Sequence, residues 1–243
     1  MNQIAARITS WPRLEISSGT IEAVKWLALV LMIGDHINKY LLNDTVAWLY
    51  DAGRLTMPLF MFVLAYNLAR PGSLERGAYR RTMIRLAVFG ALASPAFLAL
   101  GGLVYGWWPL NILFTLFVLT ATLRLLETAS IKGFLAAGLV FVLGCSLVEF
   151  WWPAVAFGVA VWTYTKQPSL PALILGVVSC AALGYINGNQ WALAAFLILA
   201  GTPFVTVRCP RIRWFFYAFY PAHLTLIWLV RIPLRHAGYL FFT

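Results

Sequence analysis

Four polar side chains interrupt the apolar run between residues 29 and 40, namely Asp35, His36, Asn38 and Lys39. An ionisable side chain near the middle of a spanning helix costs about 2.5 to 3.5 kcal/mol on a translocon-type scale, so such residues usually face a polar cavity and serve a function. An imidazole beside a carboxylate is suited to general acid–base chemistry near neutral pH. The cluster therefore predicts a functional site in a membrane helix.

A purely structural explanation stays open for single members of this cluster. Asp35 and Lys39 lie four positions apart with the acid first, which is the favourable order for an ion pair within one helix. His36 alone could be a neutral, hydrogen-bonded core residue. Four polar side chains cannot all be buried cheaply on one and a half turns, so the cluster as a whole favours a site.

The composition of the whole chain is that of a membrane protein. Of its 243 residues, 62% are hydrophobic and 11% are charged, with a mean hydropathy of +0.81. A soluble domain is about half apolar and a quarter charged. We therefore expect an all-α, polytopic integral membrane bundle.

The net charge and the cysteines argue against a nucleic-acid-binding protein, a disulfide-stabilised protein and a metal site. The net charge of +10 is expected from basic cytoplasmic loops, and we predict no nucleic-acid partner. The three cysteines stand singly, which predicts neither a disulfide framework nor a metal site.

Apolar runs of about 20 residues predict about nine transmembrane helices and a single transmembrane domain over residues 21–243. We expect residues 1–20 to form a cytoplasmic N-terminal segment, in which Ile4, Ile8 and Trp11 fall at the spacing of a short helix on the membrane surface. The predicted helices are Ile21–Leu42, Leu55–Ala69, Ile84–Val104, Leu110–Leu126, Gly133–Val148, Pro153–Thr165, Pro171–Ile186, Trp191–Val207 and Phe215–Val230.

Basic residues divide unequally between the two sides that nine crossings create. Lys39, Arg54, Arg231 and Arg235 fall on the side of the C-terminus. The positive-inside rule therefore predicts a cytoplasmic N-terminus and an extracytoplasmic C-terminus. The side of the N-terminus receives Arg7, Arg13, Arg70, Arg76, Arg80, Arg81, Arg85, Arg124, Lys132, Lys166, Arg208, Arg211 and Arg213.

Further polar residues fall at middle to outer depth near His36, which lies on the order of 22 Å along the first helix. Arg54 enters the second helix from the outer side, Asn111 opens the fourth, and His223 lies at mid-depth in the last. Each has an ordinary alternative. Arg54 can reach lipid headgroups, Asn111 can cap its helix, and Asn67, deeper in the second helix, can bond to a neighbouring helix.

A basic run lies between the second and third helices and contains Arg70, Arg76, Arg80, Arg81 and Arg85. Its ordinary role is to set the topology or to contact anionic lipid. The alternative is a polyphosphate ligand, because the forked guanidinium group binds phosphate oxygens in pairs.

Five short motifs lie along the chain in a fixed order. They are Lys25-x-x-Ala-Leu-Val-Leu-Met-x-x-Asp-His-x-Asn38, Gly53-Arg54 with Pro58-Leu-Phe60, Asn67-Leu-x-Arg70, Asn111-Ile-Leu-Phe114 and Phe219-Tyr-x-x-His223. Through these motifs the chain resembles, over about residues 20 to 225, the TraX family, the conjugation-associated membrane proteins that acetylate the N-terminus of F-type pilin. At Ala93-Ser94-Pro95 this chain lacks the glutamine expected of the family. The histidine of the first helix also resembles that of other membrane acyltransferases.

This resemblance implies acetyl transfer from cytoplasmic acetyl-CoA to the α-amine of a conjugative pilin in the bacterial inner membrane. A free α-amine has a pKa near 8, so it needs a base before it attacks a thioester. His36 is the expected base or acetyl carrier, and Asp35 orients it or contacts Arg54. Direct transfer and an acetyl-His36 intermediate both remain open.

The remaining roles follow from the same expectation. We expect Asn111, His223 or Arg54 to polarise the thioester, and Asn38, Arg54 and Asn67 to bind substrate. The CoA phosphates are expected among Arg70, Arg80, Arg81 and Arg85, with the pantetheine arm directed toward His36.

Two other functions fit the same residues. One is a proton-coupled transporter or channel that uses Asp35, His36 and His223 as a relay. The other is a non-catalytic assembly factor for pilin.

Overall fold

A computed structural model describes residues 11–101, 103–212 and 214–239. The regular secondary structure of these residues is helical, apart from two isolated bridges that pair single residues, and no strand occurs among them. Only Trp11 of the expected N-terminal surface helix falls within the described residues. The helices are α1 Ser18–Leu41, α2 Ala47–Gly53, α3 Thr56–Ala69, α4 Ala78–Leu100, α5 Ile112–Leu126, α6 Ile131–Cys145, α7 Trp151–Lys166, α8 Leu170–Asn187, α9 Ala195–Gly201 and α10 Phe215–His236.

Helix α1 begins three residues earlier than its apolar pattern predicts. The side chain of Ser17 accepts a hydrogen bond from the backbone N–H of Thr20 and so caps the first turn. Polar residues of this first turn lie outside the apolar run, which is why the run alone places the start too late. The helix ends at Leu41, as expected to within one residue.

Other predicted helices differ from the structure as well. The expected helix Ile84–Val104 begins at Ala78 and ends at Leu100, and the expected helix Gly133–Val148 ends at Cys145. The expected continuous helix Trp191–Val207 is a 3₁₀ turn at Trp191–Ala194, the short α9, and a second 3₁₀ turn at Thr202–Phe204 that contains a proline. The last helix continues to His236, beyond the expected end at Val230. The buried Arg231 donates to the carbonyl of Leu100 at the end of α4, so its charged side chain has a hydrogen-bond partner although it lies within α10.

Four helical segments are long and apolar enough to cross a membrane, on the basis of length and composition. They are residues 47–69 (α2 with α3), 78–100 (α4), 170–187 (α8) and 215–236 (α10). These segments support a helical membrane protein. The number of crossings and the orientation of the termini stay predictions.

Two hydrophobic cores hold the helices together. One core packs α1 and α3 against α5, α7 and α8, and includes Leu59, Leu119 and Phe157. The other packs α1 against α4, α5 and α10, and includes Leu86 and Leu224. Helices α1 and α5 contribute to both cores, so α1 faces α3 on one side and α10 on another.

Candidate active site

The central feature of the site is a contact between the two histidines of α1 and α10. Nδ1 of His36 lies 2.7 Å from Nε2 of His223, and the two rings are nearly parallel, with 6° between their planes. Tyr40 and Tyr220 flank His36, with ring centroids 5.7 and 6.5 Å away. The last helix therefore supplies a direct partner for the histidine of the first.

A second hydrogen bond fixes which nitrogen atoms carry protons when both rings are neutral. Nδ1 of His223 lies 3.1 Å from the carbonyl oxygen of Phe219, which can only accept, so this nitrogen donates. Nε2 of a neutral His223 must then accept, and Nδ1 of His36 donates to it. The lone pair of His36 is left on Nε2, where a general base needs it.

Asp35 forms an ion pair with Arg54 across α1 and the start of α3. The Oδ1 atom of Asp35 accepts from Nη2 of Arg54 at 2.5 Å, and both side chains are mostly buried. Gly53 lies so close to Asp35 that a side chain at position 53 would collide with the carboxylate. The partner of Asp35 is therefore Arg54, as one of the predictions had it, and not Lys39 through a pair within the helix.

Other contacts fix Arg54 in place. Its Nε donates to the carbonyl of Tyr50 at 3.1 Å, and its guanidinium lies 4.1 Å from the centre of the Tyr50 ring. Its Nη1 lies 3.5 Å from Oδ1 of Asn187 in α8. These contacts hold the guanidinium inside the protein, in contrast to the alternative in which it reaches the lipid headgroups.

A cavity of about 900 Å³ runs between α1, α3, α4, α5 and α10. We call one part of it the histidine end, which is lined by Asp35, His36, Arg54 and Glu149. The other part is the arginine end, which is lined by Arg70, Arg76, Arg81, Arg85 and Arg211.

The two ends lie far apart because α1 and α3 are antiparallel. Arg54 pairs with Asp35, whereas Nη1 of Arg70 donates to Oγ of Ser18 at 3.2 Å. From Glu22 to His36, both of which line the cavity, α1 rises about 21 Å at 1.5 Å per residue. The cavity therefore extends along most of α1, from the arginine end to His36.

The structure distinguishes among the arginines that were predicted to bind phosphate. Arg70, Arg81 and Arg85 line the cavity, whereas Arg80 is exposed and does not. Arg85 stacks on Trp214, with its guanidinium carbon 4.2 Å from the ring centre. Arg211, which precedes α10, joins the set and was not predicted.

Three predicted asparagines have different surroundings. Asn67 lines the cavity. Asn38 is fully buried, donates to Asp44 at 2.7 Å and accepts from the backbone N–H of Val46 at 2.9 Å, so its amide holds the loop after α1. It is not among the residues that line the cavity.

Asn111 is likewise fully buried and is not among the residues that line the cavity. It caps α5 by accepting from the N–H of Leu113, which is the ordinary alternative considered for it. Its Nδ2 also donates to the carbonyl of Gly90 and lies 3.3 Å from Oγ of Ser94. Ser94, at the place where a glutamine was expected, thus supports this cap.

Sequence reasoning missed Glu149, which follows α6 and lines the histidine end of the cavity. Burial raises the pKa of its carboxyl group to about 7, against the opposing effect of the positive charges of Lys39 and Arg54. The signal was present, since Glu149 is the only Asp, Glu, Lys or Arg between Lys132 and Lys166.

No group of three His, Cys, Asp or Glu side chains suited to a metal ion occurs among the residues that the structure describes. Cationic side chains gather at the arginine end of the cavity, where guanidinium groups offer paired donors to an anionic group.

Comparison with known proteins agrees with the motifs in the sequence. The family described as TraX protein matches residues 20–231, which include both histidines and the arginine end. The chain belongs to the TraX family. No solved structure matches it.

Two relatives from Escherichia coli carry the name Protein TraX. One is 29% identical over 248 residues, which cover 93% of this chain and 94% of that relative. The other, from strain K12, is 34% identical over 131 residues, which cover 53% of this chain and 50% of that relative.

Proposed function

We propose that this TraX-family protein is a membrane-embedded acetyltransferase. It moves an acetyl group from cytoplasmic acetyl-CoA to the N-terminal α-amine of a conjugative pilin at the outer side of the inner membrane. The observation that carries the proposal is one cavity that is lined by His36 at one end and by a group of arginines at the other. Such a transfer requires a base and an anion-binding surface that open into one cavity.

His36 is the base in this proposal. The hydrogen bonds from His36 to His223 and from His223 to Phe219 leave Nε2 of His36 as the proton acceptor. When His36 takes a proton, its Nδ1–H stays bonded to His223, so the positive charge forms beside a fixed acceptor. The proton then passes to the thiolate of CoA as it leaves.

The arginine end suits the phosphate groups of acetyl-CoA. It is lined by Arg70, which follows α3, and by Arg81 and Arg85 on α4, and guanidinium groups bind phosphate oxygens in pairs. Lys25 lines the cavity between the two ends and is paired with Glu22. The cavity volume lies within the range of about 300 to 1,000 Å³ that is usual for small-molecule sites.

Arg54 is the best-placed group to stabilise the negative charge that develops on the thioester oxygen. A guanidinium has five N–H donors, and the contacts with Asp35, Tyr50 and Asn187 use three of them. Arg54 lines the cavity, whereas Asn111, the other candidate for this role, does not. Asp35 holds the guanidinium in position.

A direct assay tests the proposal. Membrane vesicles that contain this protein and a mature conjugative pilin are supplied with acetyl-labelled acetyl-CoA, and the label on the pilin N-terminus is measured by peptide mass spectrometry. We expect label with the wild-type protein and none with His36→Ala. Label at the wild-type level with His36→Ala would contradict the assigned base. Gradient-dependent solute flux without labelled pilin would instead support a transporter.

A further inference from the structure

Glu149 is an acidic residue that the mechanism above does not use. It lines the same end of the cavity as Asp35 and His36. It also lies within electrostatic range of Tyr40 and Tyr220, the two rings that flank His36. Glu149 and His36 therefore share the histidine end of the cavity and the neighbouring rings of Tyr40 and Tyr220.

The backbone around Glu149 is held firmly. Its N–H donates to the carbonyl of Leu110 at 3.0 Å, and its carbonyl accepts from the hydroxyl of Thr115 at 2.9 Å. Trp108 donates to the carbonyl of Ser146 at 2.7 Å in the same loop. Both flanks of the loop are thus tied to α5 and to the segment before it, so the position of Glu149 is fixed.

The residues after Glu149 adopt unusual backbone conformations. Phe150 and Trp151 have φ angles of 62° and 48°, which non-glycine residues with large side chains rarely adopt. Such conformations cost on the order of 1–3 kcal/mol each and occur most often at functional sites. Two unfavourable backbone conformations and a buried carboxyl group thus occur side by side, which favours a functional role for this loop.

We propose that Glu149 receives the acceptor amine, binding its α-ammonium group and taking one of its protons while His36 takes the other. This inference rests on the acetyl transfer proposed above. It assigns to the histidine end a specificity for a cationic primary amine.

The proton balance explains the need for two bases. An α-ammonium group that becomes an amide loses two protons. In the first step the ammonium gives a proton to the carboxylate of Glu149 and becomes a neutral amine. The amine then forms the C–N bond to the acetyl carbon as the C–S bond breaks.

The second proton leaves the same nitrogen atom for Nε2 of His36. His36 returns it to the sulfur of CoA, which leaves as the thiol, and Glu149 releases its own proton to water. No other reactant is required. The carboxyl group of Glu149, with a pKa raised to about 7 by burial, is suited to exchange protons at neutral pH.

Two acceptors distinguish this role from that of His36. The first is mature pilin, whose α-amine is largely charged at neutral pH, and the second is hydroxylamine, which is largely neutral. Thiol release from acetyl-CoA is measured with each acceptor for wild type, Glu149→Gln, Glu149→Asp and His36→Ala, after subtraction of the rate without enzyme. Glu75→Gln is the matched control, since Glu75 is exposed and does not line the cavity.

We expect Glu149→Gln to lower kcat/KM for pilin by about 100-fold or more and to spare the reaction with hydroxylamine. Glu149→Asp keeps the carboxylate and should recover part of the loss. His36→Ala should lose both reactions, and Glu75→Gln neither.

Pilin acetylation at the wild-type rate in Glu149→Gln would overturn the assignment. So would equal losses with both acceptors in a Glu149→Gln protein that elutes as wild type does. A wild-type protein that is inactive with both acceptors would contradict the acetyl transfer itself and, with it, this role.

Discussion

Nδ1 of His36 and Nε2 of His223 lie 2.7 Å apart, although the two residues are 187 positions apart in the chain. This contact joins the first and last helices at the end of the cavity where Asp35 and Arg54 also meet. In the proposed mechanism His223 is a positioning residue, because it acts through the tautomer of His36.

Replacement of His223 tests this role. We expect His223→Leu to lower kcat by about 100-fold or more and to leave KM for acetyl-CoA unchanged, because leucine offers no acceptor to Nδ1–H of His36 and so no longer fixes its tautomer. Steady-state kinetics with acetyl-CoA and pilin measure both constants. His236→Leu, at the exposed end of α10, is the matched control and should behave as wild type. A changed KM with an unchanged kcat would argue against the positioning role.

The ion pair between Asp35 and Arg54 should show strong coupling in stability. Asp35→Asn or Arg54→Gln leaves a buried charge without its partner, which costs about 3 to 5 kcal/mol, whereas the double variant leaves neither charge. The double variant should therefore lose less stability than the two single variants together. A double-mutant cycle from unfolding in detergent measures the coupling energy.

The pair of Lys166 with Glu127 is the comparison for this cycle. Its lysine side chain is 35% exposed, against 13% for Arg54 and 16% for Asp35, so its coupling should be smaller. Additive effects of Asp35→Asn and Arg54→Gln would show that the pair contributes no coupling.

The arginine end should determine the affinity for acetyl-CoA. Arg81→Gln and Arg85→Gln should each raise KM for acetyl-CoA by about 10-fold with little change in kcat, because each removes a charge-assisted contact of about 1.5 kcal/mol or more to phosphate. Arg124→Gln, an exposed arginine outside the cavity, is the control.

The structure and the sequence give different predictions for the variant Arg80→Gln. Arg80 belongs to the predicted phosphate-binding set, but it does not line the cavity, so we expect a KM near the wild-type value. A KM increase as large as that of Arg81→Gln would restore Arg80 to the site. It would also place the phosphates outside the cavity.

The buried carboxyl group of Glu149 should make stability depend on pH. Because burial raises its pKa from 4.5 to about 7, the folded protein binds the proton more tightly than the unfolded chain does. The stability from this group is present below about pH 4.5 and is lost as the pH rises through about 7, by up to about 3 kcal/mol.

Glu149→Gln removes this dependence. The melting temperature of the variant in detergent should therefore rise relative to wild type between about pH 5 and about pH 8. Glu75→Gln should follow the wild-type curve. A constant difference between wild type and Glu149→Gln across this range would mean that Glu149 has an ordinary pKa in the folded protein.

The sequence predicted the parts of the site that depend on local pattern. Asp35 and His36 stand out because they are ionisable residues in an apolar run, and most helices follow from apolar length. The partners did not follow in the same way. Whether Asp35 pairs with Lys39 or with Arg54 depends on how closely α2 and α3 approach α1 at Gly53, which no spacing within one helix encodes.

Other residues were misjudged for similar physical reasons. Asn38 is part of the polar cluster in sequence, but the loop through Asn43 and Asp44, both with positive φ, turns back and occupies its amide. Glu149 lies in a loop, directly after the end of the predicted helix Gly133–Val148. It is part of the cavity only because that loop is bonded to Leu110 and Thr115.

The most direct test of the central claim is the intact mass of a mature pilin co-expressed with this protein. Three strains are compared, which contain the wild-type protein, His36→Ala or no TraX-family protein. We predict that the pilin gains the mass of one acetyl group only with the wild-type protein. Pilin of unchanged mass, despite good expression of both proteins, would contradict acetyl transfer to this acceptor, and acetylated pilin in the His36→Ala strain would contradict the role of His36.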